Sequence, residues 1–357
     1  MKNKYLALCA CLLTLSTAGS VSAQQEHAWS IEIHGGAGDI ARATTDAQAD
    51  ASIRATLKNA IEAGAKVLES GGSSVDAVEA SIRVMENANS FDAGRGAIYN
   101  AAGFNELDAA IMDGATLRAG SVAAVTRSSH PISLARAVMD KTPHVMLVGA
   151  GADQFLHQIG GEEVEPIYFF NEGKWQALVD QLKREGKPVP PRPVGAPAIP
   201  VKPAVNQSAM LWKPGQRHYG TVGVVALDRK GNLAAGTSTG GSQGKMPGRV
   251  GDTPIIGAGT YASNDSCAVS ATGVGEYFIR LTIAREVCVL YKDKGMTLQQ
   301  AADTVIHKEV ERLNGVGGVI VMSRDGNSVW SFNTPGMFRA RMKEGGKVAV
   351  SIYNDEP

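Results

Sequence analysis

The chain carries no surplus of charge: 35 basic side chains balance 35 acidic ones over 357 residues. Nucleic acid is thereby excluded as the main partner, because a phosphate backbone is neutralised by an excess of Lys and Arg. Aromatic residues are sparse, at 6%. Cysteine is sparser still, four in all, and two of these lie at positions 9 and 11. Cys267 and Cys288 remain, open either to pairing in an oxidising compartment or to burial as free thiols. No Cys/His cluster has the spacing of zinc ligands. Beyond the N-terminal segment, no apolar run approaches the ~20 residues needed to span a bilayer. Glycine, by contrast, is abundant: 41 residues, where average usage of about 7% would give far fewer. Such a chain makes many tight turns and close backbone approaches. A 44% hydrophobic share with 20% charged residues suits a folded chain with a large core and excludes dominant disorder.

Residues 1–23 read as a secretory signal peptide. Lys2 and Lys4 precede an apolar run from Tyr5 to Leu15, and Val21-Ser22-Ala23 supplies a small-residue cleavage site. The expectation is an exported chain with no membrane partner, periplasmic in a Gram-negative host.

The remainder alternates paired strands with paired helices. Residues 29–34 read as a strand entering the turn Gly35-Gly36-Ala37-Gly38. Residues 47–69 and 74–87 have helical apolar spacing, 105–113 and 119–126 read as strands, 132–140 as a helix and 144–148 as a strand. Eight of the 15 prolines fall between Pro188 and Pro214, so 186–220 reads as an aperiodic linker. A hairpin follows, 221–228 and 233–239, then a Gly/Pro-rich loop over 240–254. Strands at 267–272, 319–323, 328–332 and 348–353 enclose helices at 274–291 and 297–312. This order fits an α+β fold of antiparallel sheets covered by helix pairs rather than a doubly wound parallel sheet.

Three motifs compete for function. Gly36-Ala37-Gly38-Asp39-Ile40-Ala41 follows a strand and fits a dinucleotide-binding pattern. That motif needs a second strand after one helix, whereas here a helix follows a helix. Gly236-Thr-Ser238-Thr-Gly240 fits the nucleophile elbow of a serine esterase, with His34-Gly-Gly-Ala-Gly38 as its oxyanion loop and His307 the only later histidine. An elbow must turn into a helix, and 240–254 is too rich in Gly and Pro to form one. The third motif is the Gly220-Thr221 junction. A threonine hydroxyl is a weak nucleophile until a base takes its proton. At a chain N-terminus its own α-amine, which titrates near roughly 7.7–8.0, can do so. That amine exists only if the bond after Gly220 is cut.

The block Thr221-Val-Gly-Val-Val-Ala-Leu-Asp228, with Gly236-Thr-Ser-Thr239-Gly-Gly241, Pro247-Gly-Arg249-Val-Gly-Asp252, Gly257-Ala-Gly-Thr-Tyr261 and Ala271-Thr272-Gly-Val-Gly275-Glu276, closely resembles the plant-type asparaginase/isoaspartyl peptidase family of N-terminal nucleophile hydrolases. His34-Gly-Gly-Ala-Gly38, Phe91-Asp-Ala-Gly94 and Glu106-Leu-Asp-Ala109 match the same family upstream. The resemblance implies a four-layer αββα sandwich and self-cleavage between Gly220 and Thr221. An α-subunit, 24–220 with the linker, and a β-subunit, 221–357, would together make one catalytic domain, with two such pairs forming a dimer. Implied roles are Thr221 as nucleophile, Thr239 positioning it, and Thr272 with Gly273 stabilising the oxyanion. Arg249, Val250, Gly251, Asp252, Thr272, Gly273, Val274 and Gly275 would bind a small zwitterionic substrate or dipeptide. No cofactor is required. The resemblance also implies a structural sodium ion on backbone carbonyls of the loop Met85 to Arg95, where Asp92 replaces the Asn often found in relatives. His34 carries no implied catalytic role.

Overall fold

A computed structural model of the chain describes residues 27–198 and 218–357. The expected signal peptide, and most of the proline-rich linker, lie outside the described residues. The first half contains β1 (Ser30–Gly38), α1 (Ala47–Glu69), α2 (Ser74–Glu86), β2 (Leu107–Asp113), β3 (Ala119–Val125), α3 (Pro131–Lys141), β4 (Met146–Val148), α4 (Gly149–Gln158) and α5 (Glu172–Arg184). The second half contains β5 (His218–Tyr219), β6 (Val222–Leu227), β7 (Leu233–Thr239), β8 (Thr260–Ala262), β9 (Cys267–Gly273), α6 (Gly275–Leu281), α7 (Ile283–Asp293) and α8 (Leu298–Thr304). Strands β10 (Gly317–Ser323), β11 (Ser328–Phe332), β12 (Gly336–Lys343) and β13 (Ala349–Tyr353) complete it.

Among the described residues the strands form two sheets. The larger runs β13-β12-β1-β6-β7-β2-β3-β4, with β5 added beside β1; the smaller runs β11-β10-β9-β8. Every pairing is antiparallel except β3 with β4. The α+β expectation holds. No parallel βαβ unit follows β1, which removes the nucleotide-binding reading.

Three of the four apolar clusters among the described residues define how sheets and helices stack. Ile31, Ile33, Val222, Val224 and Ala234 of the large sheet pack with Ile53, Leu57, Val78 and Ile82 of α1 and α2. Val269, Ala271, Val319 and Val321 of the small sheet pack with Val287 of α7 and Ala301 of α8. The third cluster is shared by both sheets: Val225, Leu227, Leu233 and Ala235 meet Ala262, Ala268, Ile320 and Met322. The period-2 alternation of each strand therefore sorts its residues between a helix side and an inter-sheet side.

Several elements differ from the sequence expectation. β1 continues through the glycines expected to turn, because a register shift between His34 and Ala37 lets the strand bulge and stay paired with β12 and β5. The linker ends in strand: Tyr219 pairs with Ala37 and His218 with Gly38. The helix expected over 274–291 breaks at Thr282, which adopts φ 48°. The freed N–H groups of Ala284 and Arg285 are taken by the carbonyls of Ala258 and Gly257, so a neighbouring loop supplies the cap. Cys267 and Cys288 are joined, tying β9 to α7. Closing a loop of that length is worth on the order of 3 kcal/mol in the chain-entropy account.

Candidate active site

Alternation places the polar residues of the site. Val225 and Leu227 face the small sheet, so Thr221, four residues before Val225, faces it too. On β7, Ala235 faces the same way, and with it Thr237 and Thr239. On β9, Ala268 faces the large sheet, and with it Ser270 and Thr272. His34 of β1 alternates with Ile31 and Ile33, which point at the helices. A band of hydroxyls and one imidazole thus occupies the end of an otherwise apolar inter-sheet core.

Thr221 and Thr239 meet there, their Oγ1 atoms 2.9 Å apart, and both are buried. The N–H of Gly241 donates to Thr239 Oγ1 at 3.0 Å. One lone pair of Thr239 is therefore engaged, and its own proton is available to Thr221. The carbonyl of Thr221 lies 3.1 Å from His34 Nδ1. A carbonyl only accepts, so geometry assigns the ring hydrogen to Nδ1. His34 Nε2 then accepts from Ser270 Oγ at 2.9 Å. Ser270 Oγ lies 2.7 Å from Thr237 Oγ1, and Thr260 Oγ1 donates to Thr237 at 2.7 Å. Burial drives the His34 pKa down to about 3, so this ring is neutral. The sequence left His34 structural, and a satisfied, buried, neutral ring fits that assignment.

Beyond β7 the chain turns back over the site. Gly241 also lies against Arg249: a Cβ there would stand 3.4 Å from Arg249 Nη1. Gly275 touches both Arg249 and Asp252, since its Cβ would fall 2.8 Å from Arg249 Nη2 and 3.0 Å from Asp252 Oδ1. Arg249, Gly251, Asp252 and Gly275 are thus gathered beside Gly241, whose N–H meets Thr239, and Val250 of the same loop is half-buried. Arg249 does not pair with Asp252. It makes a two-point contact with Glu276, Nε to Oε1 and Nη2 to Oε2, each at 2.9 Å. Asp252 is buried, its Oδ2 has no partner among the described residues, and burial pushes its pKa up to about 7. A buried carboxylate oxygen without a donor is expensive, and a cationic ligand would relieve it. Thr272 is buried near the end of β9, followed by Gly273 and then Val274, whose N–H donates to the Val316 carbonyl at 3.1 Å.

Sequence reasoning passed over other charged groups here. Asp108 sits opposite Thr239 in the β2–β7 register. It is buried, accepts from Ala124 N–H at 2.8 Å, and is pushed above the usual carboxylate range by that burial. Buried Lys245 donates to the Glu106 carbonyl at 2.9 Å. Both lay in or beside motifs already in view, so the signal was proximity to β2 and β7 rather than residue type.

The loop expected to hold sodium carries a cation of its own. Lys174 of α5 is buried, and its ammonium donates to the Phe91 carbonyl at 2.7 Å, to the Gly96 carbonyl, and to Asp92 Oδ1 at 3.0 Å. A sodium ion on the Phe91 carbonyl would meet that ammonium at close range, so this carbonyl does not fit one. Asp92 in turn grips the Gly220 peptide. Its Oδ2 accepts from Gly220 N–H at 2.9 Å, and its N–H donates to the Gly220 carbonyl at 2.7 Å.

Nothing supports the esterase reading. Ser238 faces the helices, is fully buried, and donates to Glu86 Oε1 at 2.7 Å. His307 is instead on an exposed helical face, 3.0 Å from Glu311. The segment after Gly240 is loop, so no elbow forms.

An α+β chain whose buried Thr–Thr pair sits between two sheets, behind a held glycine peptide, has the layout of a threonine-based amide hydrolase. The chain belongs to the asparaginase family, whose model matches residues 27–352. It is 41% identical over 325 residues to an isoaspartyl peptidase of Salmonella typhimurium, covering 91% of this chain and 98% of that one. An isoaspartyl peptidase of Escherichia coli is likewise 41% identical over 326 residues, covering 91% and 96%. A human isoaspartyl peptidase/L-asparaginase is 38% identical over 327 residues, with the same coverage of each chain.

Proposed function

We propose that this chain is a self-processing threonine amidohydrolase that releases L-aspartate from β-aspartyl (isoaspartyl) dipeptides and from L-asparagine. Family membership and the named relatives support the reading. The observation that carries it is the 2.9 Å Thr221–Thr239 contact immediately after the gripped Gly220. In the proposed precursor, Thr221 Oγ attacks the Gly220 carbonyl carbon. The C–N bond breaks, the hydroxyl proton passes to the departing nitrogen, and water hydrolyses the resulting ester. The product is an α-subunit, 24–220, and a β-subunit that begins with a free threonine amine. We read the whole as the four-layer αββα sandwich of the family, assembled as a dimer of αβ pairs, and exported.

In the mature enzyme that amine takes the Thr221 hydroxyl proton while Oγ attacks the β-amide carbonyl of the substrate. Negative charge develops on the carbonyl oxygen, where the Thr272 hydroxyl and Gly273 N–H are the donors. The protonated amine returns its proton to the leaving amine or ammonia, and water then releases aspartate from the acyl-threonine. The guanidinium of Arg249 offers a planar fork for the substrate α-carboxylate once Glu276 yields it. Asp252 accepts the α-ammonium, and the backbone of Val250, Gly251, Val274 and Gly275 frames the group. The reading calls for no cofactor, because the base is the nucleophile's own amine.

N-terminal sequencing of purified protein should find a fragment that starts Thr-Val-Gly-Val. Thr221→Ala should abolish both the cut and the turnover of a β-aspartyl dipeptide. An uncut chain that turns over substrate would overturn the reading.

A further inference from the structure

We propose that Lys174 is a positioning residue for self-cleavage, acting through Asp92 on the Gly220 peptide. The inference rests on the self-processing reading above. It starts from a juxtaposition that neither residue type announces: a fully buried ammonium on α5 bonded to a fully buried carboxylate, whose other oxygen holds the N–H just before the bond to be cut.

The contacts divide the work. Lys174 fixes Asp92 and, through the Phe91 and Gly96 carbonyls, both sides of its loop. Asp92 then holds Gly220 from two directions, side chain to N–H and main chain to carbonyl. Its own carbonyl accepts from Gly240 N–H, one residue past Thr239. A single buried residue thus sets the scissile carbonyl against the turn that carries Thr239. The main-chain N–H of Asp92, 2.7 Å from the Gly220 oxygen, is placed to hold the negative charge that forms there when Thr221 Oγ adds.

The acceptor arithmetic explains why an aspartate needs this lysine. Both carboxylate oxygens of Asp92 accept, one from Lys174 and one from Gly220. An asparagine has a single acceptor oxygen, so its NH₂ would face either the ammonium or the Gly220 N–H, donor against donor. Asp with Lys is one consistent pair; Asn with a neutral partner is another. Mixed pairs leave a buried charge or donor unmatched. The carboxylate of Asp92 is therefore coupled to the ammonium of Lys174.

The test is a time course of cleavage after a pulse of cell-free synthesis of the full chain, with circular dichroism and the thermal transition recorded for each variant. Lys174→Met and Asp92→Asn should each slow appearance of the Thr221 fragment by about tenfold or more. The double variant should recover to within about threefold of wild type. Once cut, Lys174→Met should turn over substrate with kcat per cut chain within about threefold of wild type, because the Gly220 bond no longer exists. A folded Lys174→Met chain that cleaves at the wild-type rate overturns the inference. A double variant no faster than the single ones also overturns it, as does a fall in kcat as deep as the fall in cleavage. Wild-type protein that stays uncut removes the self-processing reading itself, a result distinct from cut wild type with indifferent variants.

Discussion

Replacing Thr239 by Val keeps the β-branched shape on β7 and removes one oxygen. That oxygen makes two contacts: it accepts from Gly241 N–H at 3.0 Å and stands 2.9 Å from Thr221 Oγ1. A neutral hydrogen bond is worth about 0.5–1.5 kcal/mol net. The Gly241 contact stabilises the loop whether or not substrate is present, and Gly241 is only half-buried, so water replaces it. The Thr221 contact acts on the nucleophile, where about 1.4 kcal/mol is tenfold in rate. The expected outcome is a kcat for Thr239→Val lower by roughly 2- to 13-fold with KM little changed. Thr239→Ser, which keeps the hydroxyl, should stay within about threefold of wild type on the same scale. The assay is steady-state release of aspartate from a β-aspartyl dipeptide, normalised to the amount of N-terminal threonine so that slower self-cleavage does not count twice. A Val variant with wild-type kcat, or one whose loss lies wholly in KM, refutes the argument that Thr239 positions the nucleophile.

Gly220→Ala would drive a methyl to 2.5 Å from Asp92 Oδ2 and 2.6 Å from its Cγ; the expected result is uncut precursor on a denaturing gel, cleavage being slowed by about tenfold or more. Arg249→Lys loses the two-point fork now seen with Glu276, so KM for the dipeptide should rise by about tenfold with a smaller change in kcat. Glu32 is buried and its pKa is pushed up to about 7 by that burial, from 4.5 when exposed. The folded chain therefore holds more protons than the unfolded one between those values, and stability falls as pH rises through that window. Glu32→Gln should remove that share of the slope, seen as a flatter plot of melting temperature against pH from 4.5 to 7.5, and an unchanged slope would refute the assignment.

How much of this was legible in the sequence depends on which force set each element. The hairpin of β6 and β7 was legible because its residues alternate between two apolar surfaces. The same phase told which way Thr221 and Thr239 point. β12 was not, because Arg339 occupies a position where an apolar residue would mark the strand. Its guanidinium is buried instead over the Trp330 and Phe332 rings, donating to the Met337 and Tyr353 carbonyls. The break at Thr282 has no Gly or Pro to announce it; the carbonyls of a distant loop make it tolerable. α5 carried a readable apolar period in Trp175, Leu178 and Leu182, which pack around Tyr99. It nonetheless has no place among the expected elements, which pass from the strand at 144–148 to the linker at 186–220. Within the site, residue types were legible and pairings were not. Arg249 and Asp252, three residues apart, look like partners, yet the fork goes to Glu276, because Gly275 brings the start of α6 against Arg249. Lys174 gave no signal at all, since its role exists only once α5 lies on the loop after α2.

The proposed cut creates a structural difficulty that the inter-sheet hydroxyl band resolves. Breaking the bond after Gly220 removes the tether that Asp92 provides, just when Thr221 must hold still to react. Regular pairing of β6 begins one residue later, at Val222 opposite Ser238. A new N-terminus would ordinarily fray. Here the Thr221 carbonyl is bonded to His34 Nδ1–H, and His34 is held by Ser270, Thr237 and Thr260 in sequence. Each hydroxyl in that series can give one proton and receive another in a single direction, ending at Thr221. The arrangement works only while the ring is neutral, because a protonated Nε2 would oppose the Ser270 proton. Burial that lowers the His34 pKa to about 3 secures that condition at any pH near neutrality. A charged ring beside Thr221 would also raise the cost of protonating the new amine and so weaken it as a base. The neutrality of His34 thus serves two ends: it anchors the nucleophile's backbone after its upstream tether is gone, and it leaves the amine's own affinity for a proton undisturbed.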